Sequence, residues 1–323
     1  MLLNMRHIIP VLVLALFAAA CTKQDSAPHP PPRQLTVVTT LFPLYDFART
    51  VGGERVRVSL LLPPGVEAHS FQPRPDDALR IRAADVFVYT NQYMEPWAIK
   101  FARSAGGNQL LLVDSGAGVT FLRGGRPEQH DEHDGHGHGA GMDPHIWLDF
   151  ANAQIMVRSI EAALAAKDPA NSAYYAANAT ALVDRLKALD LRFTETLSSC
   201  RHRTFLHGGH YAFGYLARRY GLTYASAAAV NADAEPTPST LVALVKRVKM
   251  EGLKYIFSEE LLSPRISEMI ARETGISVLM LHGAHNISTE DFTRGTTFLE
   301  LMSRNLENLR IGLQCSEQSS QQR

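Results

Sequence analysis

Short apolar runs alternate with amphipathic stretches along the first half of the chain. β-Branched and apolar runs predict strands at 34–40, 55–61, 84–89 and 110–113. Stretches with helical periodicity lie between them, at 42–51, 76–83 and 95–105. Because strands alternate with helices, we expect a parallel sheet with helices on both faces.

The same alternation returns in the last third of the chain. Strands are predicted at 204–206, 222–225, 255–257 and 278–281. Helices are predicted at 211–220, 239–250, 264–274 and 288–309. The pattern therefore predicts a second α/β lobe with its own parallel sheet.

One long amphipathic helix is predicted between the two lobes. Asp168 is a favourable N-cap and Pro169 a favourable first helical residue. Apolar residues then recur at spacings of three and four from Tyr175 to Leu197, over about 30 residues or about 45 Å. The predicted organisation is a first lobe, a linking helix, a second lobe and a polar tail, at 34–167, 168–199, 200–316 and 317–323.

The N-terminus carries an export signal at residues 1–20, whose apolar run is too short to span a bilayer as a mature helix. Small residues precede Cys21, as in the lipobox of bacterial lipoproteins, and we expect this cysteine to carry lipid. The alternative is an ordinary signal peptide with an incidental cysteine. Residues 22–33 are polar and proline-rich, which is typical of a tether.

Length and charge limit the classes of protein that fit. A chain of 323 residues favours about two domains. The formal net charge is +0, with no clustered basic face for nucleic acid, so no nucleic-acid partner is expected. An exported protein tolerates disulfides, so Cys200 and Cys315 either form one or remain two free thiols.

Four histidines follow predicted strands and are candidate metal ligands: His69, His145, His210 and His282. Ligands of open α/β sheets bind at the carboxyl ends of the strands. Two lobes that face each other bring two histidines from each into one cleft, as a tetrahedral nitrogen site requires.

The other histidines have two interpretations each. His207 and His285 either orient a ligand through the second ring nitrogen or are structural. The loop 128–141 carries a histidine tract that is either a solvated polar loop or a mobile metal collector, comprising His130, His133, His136 and His138.

Taken together, these motifs resemble the zinc- and manganese-binding solute-binding proteins of bacterial ABC importers, most closely the zinc-uptake (ZnuA-like) type. The resemblance covers nearly the whole mature chain and rests on several segments in order: 64–76, 84–85, 95–97, 143–148, 168–174, 210–215, 219–222, 235–238 and 271–275.

The resemblance implies two (β/α) lobes joined by a rigid helix, with the metal between them. It carries His69, His145 and His210 over as ligands, and a histidine at the third position favours zinc over manganese. The chain departs from the family at His282, where an aspartate is usual. This histidine either supplies a fourth nitrogen or leaves that place to water, and Glu259 is expected near the cleft without being a ligand.

We therefore expect a monomeric, lipid-anchored protein in the periplasm or at the cell surface that binds Zn²⁺ and delivers it to a membrane ABC permease. Three alternatives remain at this point. The first is a manganese- or other divalent-metal-binding protein of the same type. The second is a zinc hydrolase with Glu259 as base, and the third is an adhesin, which the resemblance also allows.

Overall fold

The computed structural model describes residues 33–107, 109–125, 141–230 and 236–316. Gln34–Arg323 form one compact unit. Among the described residues, no helix combines the length and the apolar character needed to cross a membrane.

The first lobe is a four-stranded parallel sheet with the strand order β2-β1-β3-β4. Its strands are β1 (Leu35–Thr39), β2 (Val56–Leu60), β3 (Val86–Tyr89) and β4 (Leu111–Asp114). Its helices are α1 (Phe42–Gly52), α2 (Pro75–Arg82), α3 (Ala98–Ala105) and α4 (Phe150–Lys167). The near-continuous burial of β1 and β3 reflects helices on both faces of the sheet.

The second lobe repeats this topology, with the strand order β6-β5-β7-β8 and all neighbours parallel. Its strands are β5 (Thr204–His207), β6 (Thr223–Ser226), β7 (Tyr255–Glu259) and β8 (Ser277–Leu281). In each sheet the chain reverses its direction of winding between the first and third strands, which creates a crevice at their carboxyl ends. This crevice is where a ligand site is expected.

Helix α5 (Ser172–Ser198) links the two lobes. Its 27 residues are slightly fewer than the sequence predicted, because Pro169–Asn171 form a 3₁₀ turn before the helix begins. The predicted apolar stripe from Tyr175 to Leu197 is buried along its length. A long amphipathic helix therefore joins the lobes, as expected.

The helices of the second lobe after β5 are α6 (Gly214–Arg219), α7 (Pro238–Glu251), α8 (Arg265–Thr274), α9 (Thr289–Arg294) and α10 (Phe298–Gly312). The single helix predicted at 288–309 is wrong, since two helices occupy this range. Gly295 ends α9 in the left-handed conformation, with a φ of 74°. Thr297 and Glu300 then form a capping box that starts α10.

One hydrophobic core runs through both lobes. It contains Phe47 from α1, Phe193 from the linking helix and Phe257 from β7. Two smaller clusters cover the outer faces of the two sheets. The fold class is confirmed, but the lobe boundaries 34–167, 168–199 and 200–316 stay a prediction, because the inner core continues across them.

A disulfide joins Cys200 to Cys315. Cys200 lies between the linking helix and β5, and Cys315 follows α10, so the bond closes the second lobe at its two chain ends. Of the two states that the sequence left open, the structure has the disulfide.

Candidate metal centre

His69 lies in the loop after β2 of the first lobe and is partly buried. The carbonyl oxygens of Pro63 and Val66 in this loop accept hydrogen bonds of 2.8 and 2.5 Å from the side-chain amide of Asn286. Asn286 belongs to the loop after β8. The second lobe therefore fixes the segment that carries His69.

His145 is fully buried immediately before the 3₁₀ helix Ile146–Leu148. Its Nδ1 lies 2.8 Å from Oδ1 of Asp143, and its backbone N–H donates to the same oxygen at 3.0 Å. An ionised Asp143 accepts the Nδ1–H, which leaves Nε2 of His145 as a lone-pair nitrogen. The carboxylate thus orients the imidazole and presents Nε2 to the cleft.

His210 is held in the same way in the second lobe, in the loop between β5 and α6. Its Nδ1 lies 2.8 Å from Oε2 of Glu259, and its backbone N–H donates to that oxygen at 3.2 Å. Glu259 is the last residue of β7, the strand beside β5. The carboxyl edge of the second sheet therefore supplies both the imidazole and the carboxylate that orients it.

The three imidazoles converge. Nε2 of His145 lies 3.1 Å from Nε2 of His69 and 3.1 Å from Nε2 of His210. One ring nitrogen from each of the three histidines lies within 4.8 Å of the others. Nitrogen ligands at about 2.0–2.1 Å around a tetrahedral zinc lie roughly 3.3 Å apart, so this spacing fits a shared ion. Two lone-pair nitrogens 3.1 Å apart repel each other unless a cation lies between them.

Burial keeps these imidazoles neutral. It lowers the pKa of His69 to about 3 and that of His210 to about 4, and it lowers the pKa of His145 well below the ordinary value. Repulsion from neighbouring histidines adds to the effect at His69 and His145. Neutral imidazole is the form that binds a metal, so the site needs no deprotonation of the rings at neutral pH.

The pKa values of the two carboxyls that support these histidines shift in the opposite direction, upwards. Burial raises the pKa of Asp143 to about 7, and it raises the pKa of Glu259 to about 7 as well. Each of these two carboxyls therefore exchanges a proton near neutral pH. A cation bound at Nε2 favours the ionised carboxylate, so metal binding at this site releases protons.

His285 is the fourth histidine at this site. Its ring centre lies 6.0, 6.3 and 5.7 Å from those of His69, His145 and His210. The side chain is 2% exposed, and its Nδ1 has no hydrogen-bond partner within the described part of the chain. His285 therefore packs beside the three converging imidazoles without belonging to the group whose ring nitrogens lie within 4.8 Å of one another.

The structure does not bring His282 into this group. Its Nδ1 accepts the backbone N–H of Ala284 at 3.0 Å, and its own backbone groups bond to the side chain of Asn305. Ala284 has a φ of 59°, so the loop turns sharply between His282 and His285. The fourth ligand expected at His282 stays a prediction, since the group of converging ring nitrogens comprises His69, His145 and His210.

Two further buried residues, His207 and Glu260, lie beside the site. The Nδ1–H of His207 donates to the carbonyl oxygen of His210 at 3.2 Å, and its Nε2 has no partner among the described residues. Glu260 accepts the backbone N–H of Gly283 at Oε2 with a distance of 2.8 Å.

Comparison with known protein families shows the family to which this chain belongs. The family model described as zinc-uptake complex component A, periplasmic (ZnuA), matches residues 37–312. This chain belongs to the ZnuA family. The matched range begins within β1 and includes the other seven strands, the linking helix and every histidine of the candidate centre. The resemblance noted in the sequence is thereby confirmed.

Curated ZnuA relatives cover most of the chain. The high-affinity zinc uptake system protein ZnuA of Bacillus subtilis is 33% identical over 281 residues, covering 87% of this chain and 88% of that protein. The zinc-binding lipoprotein AdcA of Streptococcus pneumoniae is 32% identical over 297 residues, or 92% of this chain. The chain spans only 58% of the length of that AdcA protein.

Solved structures of ZnuA-like proteins have the same fold. The Zn(II)-bound ZnuA-like domain of S. pneumoniae AdcA is 29% identical with a TM-score of 0.73, covering 87% of this chain and 99% of that one. The laminin-binding protein Lmb of Streptococcus agalactiae is 28% identical with a TM-score of 0.76, covering 87% of this chain and 100% of that one. Lmb is described as a bifunctional protein with adhesin and metal transporting activity.

The sequence of this ZnuA-family chain also contained signals that pointed to the supporting residues. Asp143 lies two residues before His145, and Glu260 directly follows Glu259 at the end of β7. Glu260 was missed because nothing in the local pattern shows that both adjacent glutamates lie beside histidines of the site. The histidine tract (His130, His133, His136 and His138) and Cys21 lie outside the described residues.

Proposed function

We propose that the chain is an extracytoplasmic zinc-binding protein that delivers Zn²⁺ to a membrane ABC permease. The observation that carries this proposal is the convergence of the Nε2 atoms of His69, His145 and His210, with 3.1 Å from the central one to each of the other two. Zinc is the cargo of this site, and no bond is made or broken in the protein's work.

His285 is the proposed fourth ligand. It is buried beside the other three imidazoles, and it lies in the loop whose Asn286 holds the His69 segment. Four neutral imidazoles form a borderline-soft nitrogen site that suits zinc, whereas manganese prefers oxygen ligands. The proposed preference is therefore for zinc over manganese.

The place in the cell and the partners belong to the same proposal. The proposed protein is a monomer outside the cytoplasm, held by lipid on Cys21 and the tether 22–33, and the export signal at residues 1–20 supports this location. The relative AdcA is named a lipoprotein, which supports this location. The histidine tract is proposed to collect zinc near the cleft without forming the tight site itself.

Competition with a chelator of known zinc affinity tests the proposed ligands. His69→Ala, His145→Ala and His210→Ala in the full chain should each lose tight zinc binding, and zinc should displace manganese from the unmutated protein. His202→Ala is the matched control, because its Nε2 lies 3.0 Å from Gln314 Oε1 and outside the site. Unchanged zinc affinity in the His210→Ala protein would overturn the proposal.

An adhesin role is the second candidate, and the similarity to Lmb favours it. Binding of laminin that persists in the His145→Ala protein would assign this role to a surface separate from the metal site. The zinc hydrolase is not supported, because the family model describes a zinc-uptake component rather than an enzyme.

A further inference from the structure

His285 and Glu260 each have a buried polar atom without a hydrogen-bond partner in the described part of the chain. These atoms are Nδ1 of His285 and Oε1 of Glu260, which are 3.9 Å apart. A buried polar group without a partner costs about 1–3 kcal/mol. Moving the two atoms together by roughly 1 Å would bring them to the usual hydrogen-bond distance and satisfy both at once.

His282 does not supply the missing partner of Glu260. Its Nδ1 lies 3.2 Å from Oε1 of Glu260 but already accepts the backbone N–H of Ala284. A ring nitrogen that accepts a hydrogen bond carries no proton to donate. Two acceptors therefore face each other at this contact, and Oε1 remains available to His285.

Two other buried histidines of the site have a carboxylate at hydrogen-bond distance from Nδ1, which His285 lacks. His145 has Asp143 at Nδ1, and His210 has Glu259 at Nδ1, at 2.8 Å in both cases. A carboxylate at the second nitrogen fixes the tautomer and the orientation of a metal-binding imidazole. Glu260 occupies the corresponding position beside His285, at a longer distance.

We infer that Glu260 is the positioning residue for His285, which rests on the proposed role of His285 as the fourth zinc ligand. When zinc binds Nε2 of His285, its Nδ1–H donates to Oε1 of Glu260. Oε2 stays bonded to the backbone N–H of Gly283, so the carboxylate is anchored to the loop that carries the histidine. The buried carboxylate also offsets part of the charge that zinc brings into a shell of neutral imidazoles.

A double-mutant cycle on the full chain tests this pairing. Glu260→Ala should lower zinc affinity by about 10- to 100-fold, as other supporting carboxylates do. Glu260→Gln keeps an acceptor oxygen and should lose less. In the His285→Ala background, Glu260→Ala should have no further effect. Glu268→Ala is the control, because its side chain is 50% exposed on α8.

The Co²⁺-loaded protein gives a readout that a purely structural role would not change. A four-nitrogen tetrahedral site gives intense visible absorption, which should weaken in the Glu260→Ala and His285→Ala proteins alike. The melting temperature of the metal-free protein should not fall in Glu260→Gln, since Oε1 has no partner to lose there.

The outcomes separate the two proposals. An equal loss of zinc affinity from Glu260→Ala with and without His285 would overturn the positioning role, as would no loss in the otherwise unmutated protein. If His285→Ala alone leaves zinc affinity unchanged, the fourth-ligand assignment fails together with this inference. Loss of binding in His145→Ala is independent of both results and tests the zinc site itself.

Discussion

The indole Nε1–H of Trp147 donates a 2.7 Å hydrogen bond to the carbonyl oxygen of Gly283. Trp147 lies two residues after His145 in the first lobe, and Gly283 lies two residues before His285 in the second. The bond is fully buried. It ties the segment that carries one proposed ligand directly to the loop that carries another, so the two lobes are joined at the metal centre.

Trp147→Phe should weaken this connection. The substitution leaves the Gly283 carbonyl without its partner, which costs about 1–3 kcal/mol of unfolding free energy, and it frees the loop before His285. We therefore expect lower stability together with weaker zinc binding, measured by denaturant unfolding and chelator competition. Trp97→Phe replaces the other of the chain's 2 tryptophans and should not change zinc affinity. Equal effects of both substitutions on zinc affinity would contradict the connection.

Asp143→Asn should lower zinc affinity about 10- to 100-fold, because the carboxylate that accepts Nδ1–H of His145 is lost. The same competition assay measures the change. Asp184→Asn is the matched control, since its side chain is 63% exposed on the linking helix. An Asp143→Asn protein with normal affinity would show that the orientation of His145 does not depend on this carboxylate.

Zinc affinity should rise with pH between about 6 and 8. Burial raises the pKa of Asp143 and of Glu259 to about 7, whereas it lowers the pKa of the ligand histidines. Below pH 7 the carboxyls hold protons that zinc must release, so linkage makes binding weaker as the pH falls. Calorimetry in buffers of different ionisation enthalpy counts these protons. Binding that releases none at pH 6 would contradict this assignment.

The disulfide should stabilise the fold without contributing to the metal site. Cys200 and Cys315 are separated by 115 residues, for which chain entropy gives a stabilisation of about 4–5 kcal/mol. Cys200 precedes the amino end of β5, while His210 follows its carboxyl end. The Cys200→Ser/Cys315→Ser protein should therefore unfold at lower denaturant concentration but bind zinc with unchanged affinity in native buffer. A loss of zinc affinity in the folded variant would link the two regions.

Much of the fold could be predicted because its signals are local. Alternating strands and helices, the stripe from Tyr175 to Leu197 and the capping residues are all readable from neighbours in sequence. The break at Gly295 was missed because one glycine within an amphipathic stretch is compatible with a continuous helix. The start of the second helix did have a local signal, because Thr297 and Glu300 stand three residues apart and form a capping box.

The candidate site likewise has one part that could be predicted from the sequence and one part that could not. Parallel strands end at one edge of a sheet, so His69, His145 and His210 could be expected to meet there. The proposed assignment of His285 rather than His282 as the fourth ligand could not be made in the same way. It depends on a left-handed residue, Ala284, in a loop whose conformation is set by bonds to Asn305 and to the first lobe.

Crystals of the zinc-loaded protein measured at the zinc absorption edge test the central claim most directly. We expect an anomalous difference peak about 2.0–2.1 Å from Nε2 of His69, His145 and His210, with an imidazole nitrogen of His285 as the fourth ligand. Occupancy should persist at one equivalent of zinc. A peak found only at other residues, with these three histidines unliganded, would contradict the account.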